Sequence, residues 1–166
     1  MAGTDLYPVA GSKIFIGGVL ATKSTDFIES DFAAVSWTEI DGWSQMGAVG
    51  DAAQTITTSL INRGRDTKQK GTRNAGSMQN VFAKISGDAG QAALIAAEKT
   101  NNNYAFKIEF DDAATSPASP APEPSKRLFV GLVTSAQEAG GAANTVQNLN
   151  STIEINSNIV NVAPSP

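Results

Sequence analysis

The sequence predicts a mainly β protein: an antiparallel β-sandwich or barrel with one flanking α-helix and a long projecting hairpin loop. Three observations point there. Several stretches alternate apolar and polar residues with a period of two, most clearly Tyr104 to Phe110. Only Gly87 to Thr100 has the composition and end signals of a helix, so most strands follow one another without a helical crossover, as antiparallel pairing allows. Residues 51–77, DAAQTITTSLINRGRDTKQKGTRNAGS, begin as a strand and end as a polar, basic run that no core of the chain's own would take in.

Residues 1–11, with Gly, Pro and small side chains, read as an extended N-terminal arm. Ser12 to Ala21 is a strand with Ile14 and Ile16 on one face and Phe15 on the other; Gly17-Gly18 signals a bulge or a close backbone approach. Thr22 to Ala34 reads as a loop with room for one helical turn. Val35 to Ala48 is an interrupted strand bearing Trp37, Ile40 and Trp43, with a turn or bulge at Asp41-Gly42. Gln54 to Ile61 is rich in β-branched residues, with Ile56, Thr58 and Leu60 on one face. From Asn62 the chain projects, and Ser77 to Ile85 returns as a strand with Val81, Ala83 and Ile85 on one side.

In the helix, Asp88 is the N-cap, Gln91 completes a capping box, and Leu94 and Ile95 anchor the buried stripe. Lys99 falls in the last turn, where the dipole favours a cation. Tyr104, Phe106, Ile108 and Phe110 share the buried face of the next strand. Residues 112–126 form an exposed Pro-rich loop. Arg127 to Ala136 is apolar on both faces and is therefore a central strand. Asn144 to Ser157 places Leu149, Ser151, Ile153 and Ile155 opposite Asn150, Thr152, Glu154 and Asn156. Residues 158–166 are a C-terminal arm that adds a short strand before proline ends it. This amounts to about seven strands and one helix in a single domain, 1–166.

A chain of 166 residues, 41% hydrophobic, buries roughly 70% of the surface its unfolded form exposes. Cys and His are both absent. That removes disulfides, thiolate metal sites, Cys nucleophiles, Ser-His-Asp chemistry and ordinary zinc sites together. No catalytic residue, cofactor or metal is expected, and no enzyme. The carboxylate groups Glu109, Asp111 and Asp112, or Asp26, Glu29 and Asp31, lack the glycine and ligand spacing of a calcium loop. A net charge of −4 has the wrong sign for a general nucleic-acid binder. No run reaches the ~18 apolar residues of a membrane span, and the N-terminus has no basic region leading into an apolar core. A soluble protein made in a cytoplasm is expected.

Five of the twelve Lys and Arg residues lie between Arg63 and Arg73. A solvated hairpin tip, a DNA contact and a docking element for another copy all fit such a cluster. DNA contact is disfavoured because no aromatic residue is interleaved for base stacking. Docking is the favoured reading, through Arg63, Arg65, Asp66, Lys68, Lys70 and Arg73, with Asp26, Glu29, Asp31, Asp41 and Asp51 as candidate acidic acceptors. Charge complementarity would set register and orientation there more than affinity.

The order of elements is similar to a known family. It runs from the Val35-Ser36-Trp37 strand through the projecting segment to the G-D-x-G-Q-x-A-L helix start at Gly87 to Leu94. The aromatic strand Tyr104 to Phe110, the R-x-F-x-G-x-V strand at Arg127 to Val133 and the V-Q-N-x-N-S-T-I-E-I strand follow. Together, over Lys13 to Val162, this resembles the major tail tube protein of long-tailed, non-contractile, lambda-like bacteriophages. The resemblance implies hexameric rings stacked into a hollow tube that conducts genomic DNA into the host without binding it specifically. It also implies a projecting loop that reaches the next ring. Expected partners are further copies, a tape measure, a tail terminator and distal tail or baseplate proteins, with no membrane. The expected location is the virion tail, assembled in the host cytoplasm. Glu109 or Glu154 would line the lumen. The alternatives are a tube subunit of a contractile tail or type VI secretion system, and a monomeric carbohydrate- or peptide-binding β-sandwich using Trp37 and Trp43 as platforms.

Overall fold

Alternation along each strand decides which face turns inward, and here it bends one sheet around one helix. The computed structural model describes residues 6–114 and 120–165. The first five positions of the N-terminal arm, positions 115–119 of the Pro-rich loop and position 166 lie outside the described residues. The strands are β1 (Lys13–Val19), β2 (Thr38–Glu39), β3 (Trp43–Gln45), β4 (Ala52–Thr58), β5 (Thr67–Asn74) and β6 (Ser77–Ala83). After the helix α1 (Ala89–Glu98) come β7 (Tyr104–Glu109), β8 (Lys126–Ala139), β9 (Asn148–Ile155) and β10 (Val160–Val162). The main sheet runs β2-β1-β7-β8-β9-β6-β3, with β10 on β8, and every pairing is antiparallel. β4 and β5 form a separate two-stranded sheet.

One apolar core joins the two edges of the main sheet. Ile14 and Ile16 of β1, Phe106 and Ile108 of β7, Phe129 and Val133 of β8, Leu149 and Ile153 of β9 and Met78 and Phe82 of β6 all pack with Leu94 and Ala97 of α1. The sheet therefore curls over the helix. Phe106 and Phe129 are cross-strand partners whose rings stack at 5.6 Å. A smaller cluster covers the other face of β7 and β8: Phe27, Phe32, Ala105, Leu128 and Val130, flanked by Val35, Trp37 and Val160. That second cluster is why β8 is apolar on both faces in its first half. Gly17-Gly18 falls at a register shift between Ile16 and Val19. Gly42 sits at φ +78, with its carbonyl accepting from Ala83 N, so the Asp41-Gly42 turn delivers the chain onto β6.

Several details differ from expectation. On β6 the inward residues are Met78, Asn80 and Phe82, while Val81 and Ala83 are half-buried and Ile85 is exposed. Asn80 is tolerated inside because its Oδ1 accepts from Trp43 Nε1 and Gly47 N. The Asp88 carboxylate caps Gln91 N at 2.7 Å, but the Gln91 side chain does not complete the box. Its Oε1 accepts from Ile85 N, and its Nε2 donates to the carbonyls of Asp41 and Ala83. Lys99 is the C-cap residue, beyond the last helical turn, and the buried stripe is Gly90, Gln91, Leu94 and Ala97 with Ile95 half-buried at its margin. The larger strand count follows from the interrupted strand splitting into β2 and β3, the projecting segment contributing β5, and the tail adding β10.

Gly90 marks where α1 meets the sheet most closely: a Cβ there would overlap Glu39 O and crowd Ile40 Cα. Gly90→Ala gains helix propensity of about 1 kcal/mol but must push the helix off β2. We expect a net loss of about 1–3 kcal/mol in thermal or urea unfolding, with Ala89→Gly as the control for propensity alone.

Candidate assembly interface

β4 owes its extended form to β-branched residues, and β5 follows by pairing with it. The register sets Thr55 against Lys70, Ile56 against Gln69 and Thr57 against Lys68, with a bulge near Gln54. One face of this hairpin is therefore Thr55, Thr57, Lys68 and Lys70; the other is Ile56, Thr58, Thr67 and Gln69. Both faces are open: every residue of β4 is exposed, and β5 is nearly so. Neither strand packs substantially on the helix or on another strand. The hairpin is rooted where Gly76 O accepts from Ile155 N, at the end of the sheet where β6 begins.

The expectation is a projecting hairpin loop; within it Lys68, Lys70 and Arg73 lie on a strand. At the tip, Ser59 to Asp66, Arg63 N donates to Leu60 O and Ser59 Oγ donates to Asp66. Ile61 is fully exposed there, and Leu60 and Ile56 are exposed too. Arg63, Arg65, Lys68 and Lys70 form no ion pair among the described residues, whereas Arg73 reaches Asp51 at 3.5 Å. Five cations against Asp51 and Asp66 give the segment a charge of +3, leaving −7 for the rest of the chain. An isolated two-stranded hairpin in water is marginally stable at best. A charged one with bare aliphatic side chains at its tip would gain order from any surface it docked on.

The candidate acceptors are scattered. Asp51 is spent on Arg73 within the hairpin, and Asp26 faces the same polar cleft at the hairpin root, beside Asn156 and Asn158. Asp31 accepts from Lys23 Nζ at 2.5 Å and from Ile28 N at 2.8 Å. Glu29 lies by the groove of Phe32, Val35, Trp37 and Leu128. Asp41 is exposed at the opposite end of β6 from the hairpin, its Oδ1 accepting from Gly42 N.

The hydrogen bond from Lys23, then that from Ile28 N, holds the Asp31 carboxyl below the usual carboxylate range. A depressed value in the folded state means this stabilisation is complete above the ordinary carboxylate pKa and is lost as pH falls through the lowered one. The Ile28 amide resonance should titrate below the range of a free Asp and stop titrating in Asp31→Asn.

The two candidate lumen residues part company. Glu109 is half-buried and bound to Lys107 Nζ at 2.6 Å, on the half of the sheet that the second cluster covers. Glu154 is exposed on the uncovered half, where the registers build three rows across β6, β9 and β8. These are Ser77–Glu154–Leu132, Gln79–Thr152–Ser135 and Val81–Asn150–Gln137. Three amides, three hydroxyls, one carboxylate and the two aliphatic side chains of Leu132 and Val81 make up these rows, with no Lys or Arg among the nine. The tryptophans are engaged in packing: Trp43 with Asn80 and the main core, Trp37 stacked on Phe32 at 6.4 Å with Lys107 over its ring. Among the described residues no three carboxylates converge as a metal site would need. Asp112 instead clasps the base of the Pro-rich loop by accepting from Ser125 N and Oγ.

The overall fold is also found in solved structures. The SPP1 tail tube, determined by solid-state NMR and cryo-EM, matches with a TM-score of 0.66 and 13% identity, over 94% of this chain and 80% of that one. The fold is that of a tail tube. A chain of an extracellular contractile injection system, in its extended sheath-tube complex, matches at TM-score 0.65 and 13% identity, over 96% and 93%. A chain of that system's sheath/tube terminator matches at 0.67 and 12%, over 98% and 100%. No protein-family model matches the sequence, and no curated protein does. The tail-tube fold thus spans a phage tail and contractile injection systems, and this chain has it at identities where sequence alone is nearly silent.

Proposed function

We propose that the chain is the repeating subunit of a bacteriophage tail tube, with hexameric rings stacked head to tail around a lumen that passes genomic DNA. Its role is mechanical, without catalysis or cofactor. The observation behind this is the hairpin of β4 and β5: +3 in charge, bare on both faces and tipped with Leu60 and Ile61. Head-to-tail stacking is a heterologous contact that does not close, so it yields filaments. The open rows around Glu154 suit a lumen. Such a wall offers passing phosphates no cation to bind, and a carboxylate in each subunit repels them mildly, so DNA is not trapped through counterion release. The body's residual −7 supplies the acidic partner for the hairpin. Tape measure, terminator and baseplate proteins would meet the tube in the virion tail, and assembly would take place in the host cytoplasm.

The likeness to contractile injection systems favours a second version, a tube inside a contractile sheath. A size-exclusion column followed by negative-stain imaging tests the common core. Rings or hollow filaments are expected. A monomer that persists at high concentration and retains a sugar on a carbohydrate column would replace the tube with the binding-module reading.

A further inference from the structure

The hairpin root and the N-terminus of α1 lie at opposite ends of β6. β6 leaves the hairpin at Ser77 and ends at Ala83, where Gly42, the Asp88 cap and the loop before β9 gather. At that far end is a groove of about 280 Å³ between Ile85 and Ile95, floored by Ala92 and edged by Asp88. Ile85 is exposed, as is Val146 nearby, where Lys84 N donates to Gln147 O. Lys84 and Asp88 both line the groove, but Lys84 is paired with Glu138 at 2.7 Å, and Asp41 adjoins through its carbonyl on Gln91, so the surroundings are net acidic. The far end therefore carries an apolar slot with an acidic edge, and the hairpin tip carries Leu60 and Ile61 beside Arg63 and Arg65. These two surfaces are complementary in charge and apolar character, and the slot lies at the end of β6 away from the hairpin's root.

Resting on the tube reading, we propose that the occupant of this groove is the hairpin tip of a second copy. Ile61 enters between Ile85 and Ile95, and Arg63 and Arg65 face Asp41 and Asp88. Strands of seven and eight residues extend roughly 25 Å, a reach that lets the tip contact a neighbouring copy. Of the acidic residues singled out from the sequence, Asp41 alone lies at this end. Asp26 and Asp51 sit at the hairpin's own root, where a copy added head to tail does not bring its tip. Repeating the contact from ring to ring makes it directional, because tip and slot are different surfaces.

The chain has no cysteine, so engineered thiols report without background. The full chain carrying Ile61→Cys and Ala92→Cys is polymerised, oxidised with copper phenanthroline and run on a non-reducing gel, with each single variant alongside. A ladder of dimers, trimers and longer products is expected from the double variant and none from the singles. Ser86→Cys in place of Ala92→Cys repeats the test from the other side of the slot. Hollow filaments that form and yield no ladder with either partner overturn the inference and leave the tube reading standing. So does a ladder from Ile61→Cys with Asn158→Cys at the root cleft, which puts the tip at the wrong end. Failure of the unsubstituted chain to form any filament removes the tube reading and this inference together.

Discussion

Changing Arg63, Arg65 and Lys68 to Glu should leave the subunit folded and stop it polymerising. All three side chains are exposed and make no ion pair among the described residues, so the fold loses nothing measurable from their reversal. Surface changes of this kind sit within about 0.5 kcal/mol. At the ring contact the effect is of another size. Like charges brought face to face cost several kcal/mol, and each 1.4 kcal/mol is tenfold in affinity, so every stacking contact should weaken at least 100-fold or so. Sedimentation velocity should show the variant as a small species at concentrations where the natural chain forms filaments, with circular dichroism and melting temperature preserved. Unimpaired polymerisation would remove charge docking as the mechanism.

The largest expected loss of stability from one side chain is Gln91→Leu. Gln91 is buried, and its amide accepts from Ile85 N while donating to the carbonyls of Asp41 and Ala83. It ties the β2–β3 turn, the end of β6 and α1 into one corner. Leucine keeps the volume and leaves three backbone groups without partners, at about 1–3 kcal/mol each. A total of about 3–5 kcal/mol, read by urea unfolding, is expected, against less than about 1 kcal/mol for Ala92→Leu on the exposed side of the same helix. Because the slot proposed for a neighbour's tip is built on this corner, Gln91→Leu should also impair stacking in the fraction that remains folded.

What the sequence discloses depends on whether a residue's neighbours are near it in the chain. On β7 and β9 the spacing indicates Phe106 and Ile108, and Leu149, Ser151, Ile153 and Ile155, as buried, and they are; Ala105 on the other face of β7 is buried as well, under the second cluster. The α1 start is legible because Asp88 caps a group three residues away. β5 is not, since TKQKGTRN contains no apolar residue and its strand form is imposed by β4 across the turn. The inward face of β6 is masked by Asn80, whose buried Oδ1 finds its donors, Trp43 Nε1 and Gly47 N, only in the folded chain. Gln91 reads as half of a capping box, because nothing local shows that Asp41 will be fifty residues away in sequence and in contact.

The candidate interface is legible as a segment and not as a pair. Arg63 to Arg73 announces itself by composition. Its acceptor could not be chosen, because Asp31 and Asp51 are neutralised by Lys23 and Arg73 in ways that only folding reveals. Glu109 and Glu154 look alike on alternating strands, yet a covering loop and Lys107 silence the first and leave the second open.

Amide hydrogen exchange of β4 and β5 as a function of protein concentration bears most directly on the idea that the hairpin is completed by another molecule. Fast exchange at Ile56, Thr57, Gln69 and Lys70 in the dilute monomer, slowing by orders of magnitude as filaments form, is the predicted result. Strong protection of those amides in a protein that remains monomeric would contradict it.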